Sequence, residues 1–161
     1  IGIAVTEGIQ QFCEIDCKLK WPNDILIDGK KMGGILIESK EIEHKLHICV
    51  GIGLNVNDDL SQFPEEIQQS ATSLIRVKGH SLQREPLLSA ILNSIEKLYI
   101  NNWTMVLDKW HKYCAHLNSN VSFKYGEKNI SGIFTGLNPN GYAEINCNGK
   151  MQTFPGGELI L

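Results

Sequence analysis

From His47 to Asn57 the chain alternates without a break. Ile48, Val50, Ile52, Leu54 and Val56 take every second position, and His47, Cys49, Gly51, Gly53, Asn55 and Asn57 take the others. Period two is the repeat of a β-strand, whose successive side chains point to opposite faces. The pattern predicts one aliphatic face packed against helices and one face emptied of bulk. Gly51 and Gly53 leave space on the second face, and Asn55 and Asn57 bring amides to its end. Such a surface accepts either a closely crossing helix or a flat ligand lying on the sheet.

Upstream, Cys17 to Trp21 and Ile25 to Ile27 read as strands, with Lys20-Trp21-Pro22-Asn23-Asp24 at the corner between them. Pro22 fixes its own φ and pushes Trp21 towards extended geometry. Asn23 and Asp24 are turn-formers whose side chains bond local backbone. Trp21 adds a large apolar body. The corner should therefore be stiff and hold Lys20 in one place. A fixed ammonium suits a carboxylate or phosphate, and the plainer alternative is a lysine that happens to precede a strand. Asp28-Gly29 signals a hairpin turn, with Gly33 to Glu38 as the return strand. The Gly33-Gly34 pair fits a bulge or the floor of a pocket.

The remaining stretches frame these elements. Ile1, Val5, Ile9 and Phe12 mark one face of a helix running to about Glu14. Asp58 to Gln69 reads as a loop with one helical turn near Pro64–Gln68, and loops of that length are often lids. The hydroxyls of Ala71-Thr72-Ser73-Leu74 suit either a ligand or a cap. Ser81 to Ile100 is an amphipathic helix with Ser81 as cap and Pro86 in an early turn. Met105 to Leu117 reads as another. Near Asn118 the texture changes to short β-like runs split by turns, including Gly126 and Gly141 at positions that need φ > 0. Those runs predict a small β-barrel.

The chain has 161 residues, room for one ordinary domain and a small second one. A net charge of −3 gives no electrostatic case for a nucleic-acid partner. No apolar run reaches the length of a membrane span. Five cysteines, Cys13, Cys17, Cys49, Cys114 and Cys147, form no C-x-x-C pair. They read as reduced thiols of a cytoplasmic protein. The five histidines show no metal-ligand spacing.

Taken in order, Lys20-Trp21-Pro22-Asn23-Asp24, Lys31-Met32-Gly33-Gly34-Ile35-Leu36-Ile37-Glu38, Val50 to Asn57, Ala71 to Leu74 and Gly156-Gly157-Glu158-Leu159 resemble the biotin–protein ligases. The resemblance covers the whole chain. It implies an α/β catalytic domain, with helices packed on a mixed sheet, over residues 1–117, and an SH3-like β-barrel over 118–161. It implies an enzyme that joins biotin to ATP as biotinyl-5′-adenylate and passes the biotinyl group to a lysine of a biotin carboxyl carrier protein, with Mg²⁺ assisting. By the same resemblance Lys20 is catalytic, and Lys20, Gly33, Gly34 and Leu36 bind biotin. Asn55, Ala71, Thr72 and Ser73 bind the nucleotide, Asn55 near its metal. Trp21, Pro22, Asn23 and Asp24 support the corner. The family's glycine- and arginine-rich loop has no counterpart here, so the chain is expected to be a fragment with an incomplete active site. The family often pairs subunits through its sheet, which admits a homodimer, and the sequence leaves the oligomeric state open. Two other readings are a lipoate–protein ligase and a non-catalytic module that binds carrier protein.

Overall fold

The computed structural model describes residues 1–100 and 105–160. Helix α1 (Gly2–Cys13) leads into β1 (Lys18–Lys20), β2 (Asp24–Ile27), β3 (Lys30–Ile42) and β4 (Lys45–Leu54). These four strands pair antiparallel in the order β1-β2-β3-β4. The sheet is thus an antiparallel meander where a mixed one was expected. Its only parallel pairings among the described residues are isolated bridges, Leu19 to Cys114 and Lys31 to Ala71. Turn geometry explains the meander. Asp28 and Gly29 both have positive φ (49° and 76°), the requirement of a two-residue hairpin. Glu43 and His44 do the same between β3 and β4 (51° and 59°), without a glycine to announce the turn.

After β4 come a 3-10 turn (Leu60–Gln62), α2 (Glu65–Ser70), α3 (Leu74–Lys78), α4 (Arg84–Ile100) and α5 (Val106–Tyr113). Helix α4 begins at Arg84, past the Ser81 cap suggested by the sequence, and α5 stops before Cys114. The α1 and α4 helices cross closely at Gly8, where an added Cβ would stand 2.7 Å from the Ile91 Cα. Their shared core includes Val5, Ile9, Leu87 and Ile91, joined by Ile25 and Met32 from the sheet. The buried stripe of α4 is narrow, since Leu88 and Leu92 remain exposed.

The aliphatic face of β4 is only partly covered. Ile52 and Leu54 pack on the core, but Leu46, Ile48 and Val50 are exposed. The physical reason is length: β3 and β4 pair out to Ile42–Lys45, beyond the reach of the helices.

The C-terminal strands are β5 (Asn120–Tyr125), β6 (Lys128–Leu137), β7 (Ala143–Cys147), β8 (Lys150–Phe154) and β9 (Glu158–Ile160). They form an all-β unit in the order β8-β7-β6-β5-β9. No pairing among the described residues closes this ladder into a barrel. Gly126 and Gly141 have φ of 60° and 78°, as turns at these points require. Fully buried Phe123 and Phe134 anchor the core, each contributing about 2 kcal/mol from burial.

Candidate active site

Lys20 ends β1 and pairs with Asp24 at the start of β2. Asp24 in turn pairs with Gly34 on β3, and Gly34 with Gly53 on β4. Directly paired residues share a face, so Lys20, Asp24, Gly34 and Gly53 form one row across the sheet. Leu36 and Gly51 form the next pair of that face. The emptied side of β4 therefore lies on the same surface as the lysine corner.

The corner is pinned to β3 by Asn23. Its carbonyl accepts the Ile35 N–H at 2.9 Å, and its Nδ2 donates to the Ile35 carbonyl at 3.0 Å. The Trp21–Pro22 peptide is cis. Trp21 leaves the corner altogether: it is buried among Val121, Phe123 and Phe134 of the C-terminal sheet.

A bulge adds a residue that sequence reasoning missed. The register shifts between Ile25 and Leu26, which face Gly33 and Lys31 and leave Met32 unpaired. One extra residue reverses the alternation. Lys31 is thereby re-aimed to the Asp24 side, 2.5 Å from its carboxylate, while Lys20 stands 3.8 Å from the other oxygen. Two ammonium groups thus flank one carboxylate that is 17% exposed.

The two glycines of the pair have different surroundings. A Cβ on Gly33 would collide with the Gly53 carbonyl and stand 2.7 Å from Leu54. Gly33 is where strands approach closely. A Cβ on Gly34 would meet nothing nearer than 3.6 Å. Gly34, Leu36, Gly51 and Gly53 line an open cavity of about 380 Å³ with Asn23. Beside it, Lys20, Asp24 and Leu36 line a cavity of about 570 Å³, walled also by Trp110 and by Pro155 of the C-terminal unit.

Asn55 and the Ala71-Thr72-Ser73 segment form a second group. The Asn55 amide donates to the Thr72 carbonyl at 3.0 Å, and Thr72 N–H donates to the Lys31 carbonyl at 2.9 Å. Lys31 is therefore the link: its backbone holds this group and its side chain reaches Asp24. Ser73 is fully buried and its hydroxyl donates to the Asp58 carbonyl at 2.9 Å. That bond closes the base of the loop carrying α2. Asn57 is paired twice with the Leu82 backbone and is a structural amide.

No group of three or more His, Cys, Asp or Glu capable of holding a metal occurs among the described residues. Mg²⁺ does not require one, because it is commonly held by one or two protein oxygens together with substrate phosphates. The Asn55 side-chain oxygen suits such a share.

His116 was passed over because its spacing carries no signal. It is 1% exposed, and neither ring nitrogen has a hydrogen-bond partner. Burial, and then the Lys20 charge, push its pKa down to about 4, so the imidazole is neutral. Among the described residues no helix is long and apolar enough to cross a membrane.

Residues 1–55 match the Biotin/lipoate A/B protein ligase family, and residues 116–161 match the Biotin protein ligase C terminal domain. The apo structure of biotin protein ligase from Aquifex aeolicus is similar to 99% of the chain and 72% of its own, with 33% identity and a TM-score of 0.84. The same ligase in complex with biotin and ATP superposes with a TM-score of 0.78, at 32% identity over 99% of this chain and 67% of its own. The bifunctional ligase/repressor BirA of Bacillus subtilis (strain 168) is 32% identical over 99% of the chain and 51% of its own length. The chain thus spans about half the length of the curated relatives it matches.

Proposed function

The chain belongs to the biotin protein ligase family, and from that premise we propose that it serves an ATP-dependent ligase that charges biotin and passes it to a carrier-protein lysine. In the first step the biotin carboxylate attacks the α-phosphorus of ATP and pyrophosphate leaves. In the second, the carrier lysine amine attacks the acyl carbon and AMP leaves. Residues 1–117 serve as the catalytic unit and 118–161 as its C-terminal partner, with Leu161 outside the described residues.

The observation that carries this reading is the row from Lys20 to Gly53. It puts a fixed ammonium at one end of a flat, glycine-cleared surface. A flat bicyclic ring fits over Gly34, Gly51 and Gly53, with Leu36 beside it. Its carboxylate is directed to Lys20, which meets negative charge on the carboxylate and on the α-phosphate. Gly33 acts from behind, by letting β3 and β4 approach. Asn55, Ala71 and Thr72 hold the nucleotide side, with buried Ser73 behind them closing the base of the loop. Asn55, through its side-chain oxygen, is the residue that would share in holding Mg²⁺, and the ion would supply screening of the phosphate charge.

The carrier is a biotin carboxyl carrier protein, the setting is cytoplasmic, and the enzyme pairs with a second copy along β4. That strand ends the described sheet and exposes Leu46, Ile48 and Val50.

The test is a chimera in which this chain replaces the matching part of the Aquifex aeolicus ligase. With ATP and Mg²⁺ it should label a biotin carrier domain, and lipoate should not compete. A folded chimera that forms no biotinyl-adenylate would overturn the reading.

A further inference from the structure

Lys20 ends a strand that is poorly held by its own sheet. The β1 strand has three residues, lies at the sheet edge and has β2 as its one strand neighbour among the described residues. Yet both sequence neighbours of Lys20 are gripped from far downstream, Leu19 by the segment after α5 and Trp21 by the C-terminal sheet. On one side the Leu19 carbonyl accepts the Ala115 N–H at 2.9 Å, beside the Leu19–Cys114 bridge. On the other, the Trp21 indole N–H donates to the Gly141 carbonyl at 3.3 Å. The Trp21 ring lies 5.8 Å from the Phe123 ring, centroid to centroid, and is 4% exposed.

Trp21 is not required there to close the corner, because Asn23 already ties it to β3 with two hydrogen bonds. The Trp21 side chain connects the corner to the other core instead.

We infer that Trp21, Phe123 and Gly141 are positioning residues through which the C-terminal sheet sets where the Lys20 ammonium stands over its cavity. The ligand class is a carboxylate passing to an acyl phosphate. The inference deepens the ligase reading and rests on it for what Lys20 does. The placement of Lys20 is measurable without any ligase activity.

The experiment is competitive amine labelling of the 161-residue chain with acetic anhydride, read by mass spectrometry. Exposed Lys40 is the internal reference. Trp21→Phe keeps an aromatic ring against Phe123 and removes the N–H donor. Phe123→Leu loosens the same contact from the sheet side and keeps the test open should the first variant fold poorly. In either folded variant Lys20 should label about threefold faster relative to Lys40, the size expected when a partly screened ion pair is released. Unchanged Lys20 labelling in a folded variant would overturn the inference and leave Trp21 as packing alone. Altered labelling in a chimera that makes no biotinyl-adenylate would uphold the positioning and reject the ligase reading.

Discussion

The Lys31 ammonium lies 2.5 Å from one Asp24 carboxylate oxygen, and Asp24 is the acid that also faces Lys20. The relationship exists because of one unpaired residue, Met32, in the β2–β3 ladder. Asp24→Asn should free both ammonium groups. Both pairs are partly exposed, so stability should change by less than about 1 kcal/mol. Lys20 and Lys31 should both label faster with an amine reagent. A urea unfolding curve and labelling by mass spectrometry check the two halves of this expectation separately.

The α1–α4 crossing should not tolerate a methyl group. A Cβ at Gly8 would meet the Ile91 backbone at 2.7 and 2.9 Å, and backbone cannot swing aside as a flexible side chain would. Gly8→Ala should destabilise the chain by about 1–3 kcal/mol, despite the better helix propensity of alanine. Gly126→Ala, at an open turn, should show only the smaller strain of its positive φ. Chemical denaturation of both variants makes the comparison.

His116 gives the chain a pH-dependent stability. Its pKa is lowered from 6.5 to about 4, chiefly by burial and then by Lys20. In that window the unfolded chain binds a proton that the folded chain does not. Stability should therefore fall as pH drops from about 6.5 towards 4, by up to about 3 kcal/mol from this group. His116→Phe should flatten that part of the curve. It should also stabilise the chain near neutral pH, because two buried nitrogens without partners are removed. Thermal melts across the pH range read both effects.

The cysteines should divide by burial. Cys17 is pushed up to about 12, by burial and then by Cys13 and Asp16, and Cys13 is also raised by burial. Cys49 is exposed on β4. Brief alkylation of the folded chain at mildly alkaline pH should modify Cys49 and spare Cys13 and Cys17. Peptide mass spectrometry distinguishes the three sites.

Much of this arrangement was legible in the residues. The alternation from His47 gave β4, Asp28-Gly29 gave the first hairpin, and the Lys20 corner stood out by its chemistry. What stayed hidden depends on register and on distant packing. Straight alternation puts Lys31 on the same face as Gly33 and opposite Gly34, and only the bulge at Met32 reverses that. The exposure of Leu46, Ile48 and Val50 reflects a hairpin longer than the helices beside it, which a local pattern does not encode. Trp21 read as part of its own corner, but its partners are about a hundred residues away in sequence. His116 carries no spacing signal at all, and only burial between Trp110 and Phe134 makes it unusual.

The central claim is that the Lys20 ammonium meets the reacting carboxylate and phosphate. Biotinyl-adenylate synthesis by the chimera, compared with its Lys20→Met and Lys20→Arg variants, tests it most directly. The account predicts a rate loss of about a hundredfold or more for Lys20→Met, with partial recovery in Lys20→Arg. Lys20→Met made in a folded chimera and forming the adenylate at the unaltered rate would contradict it.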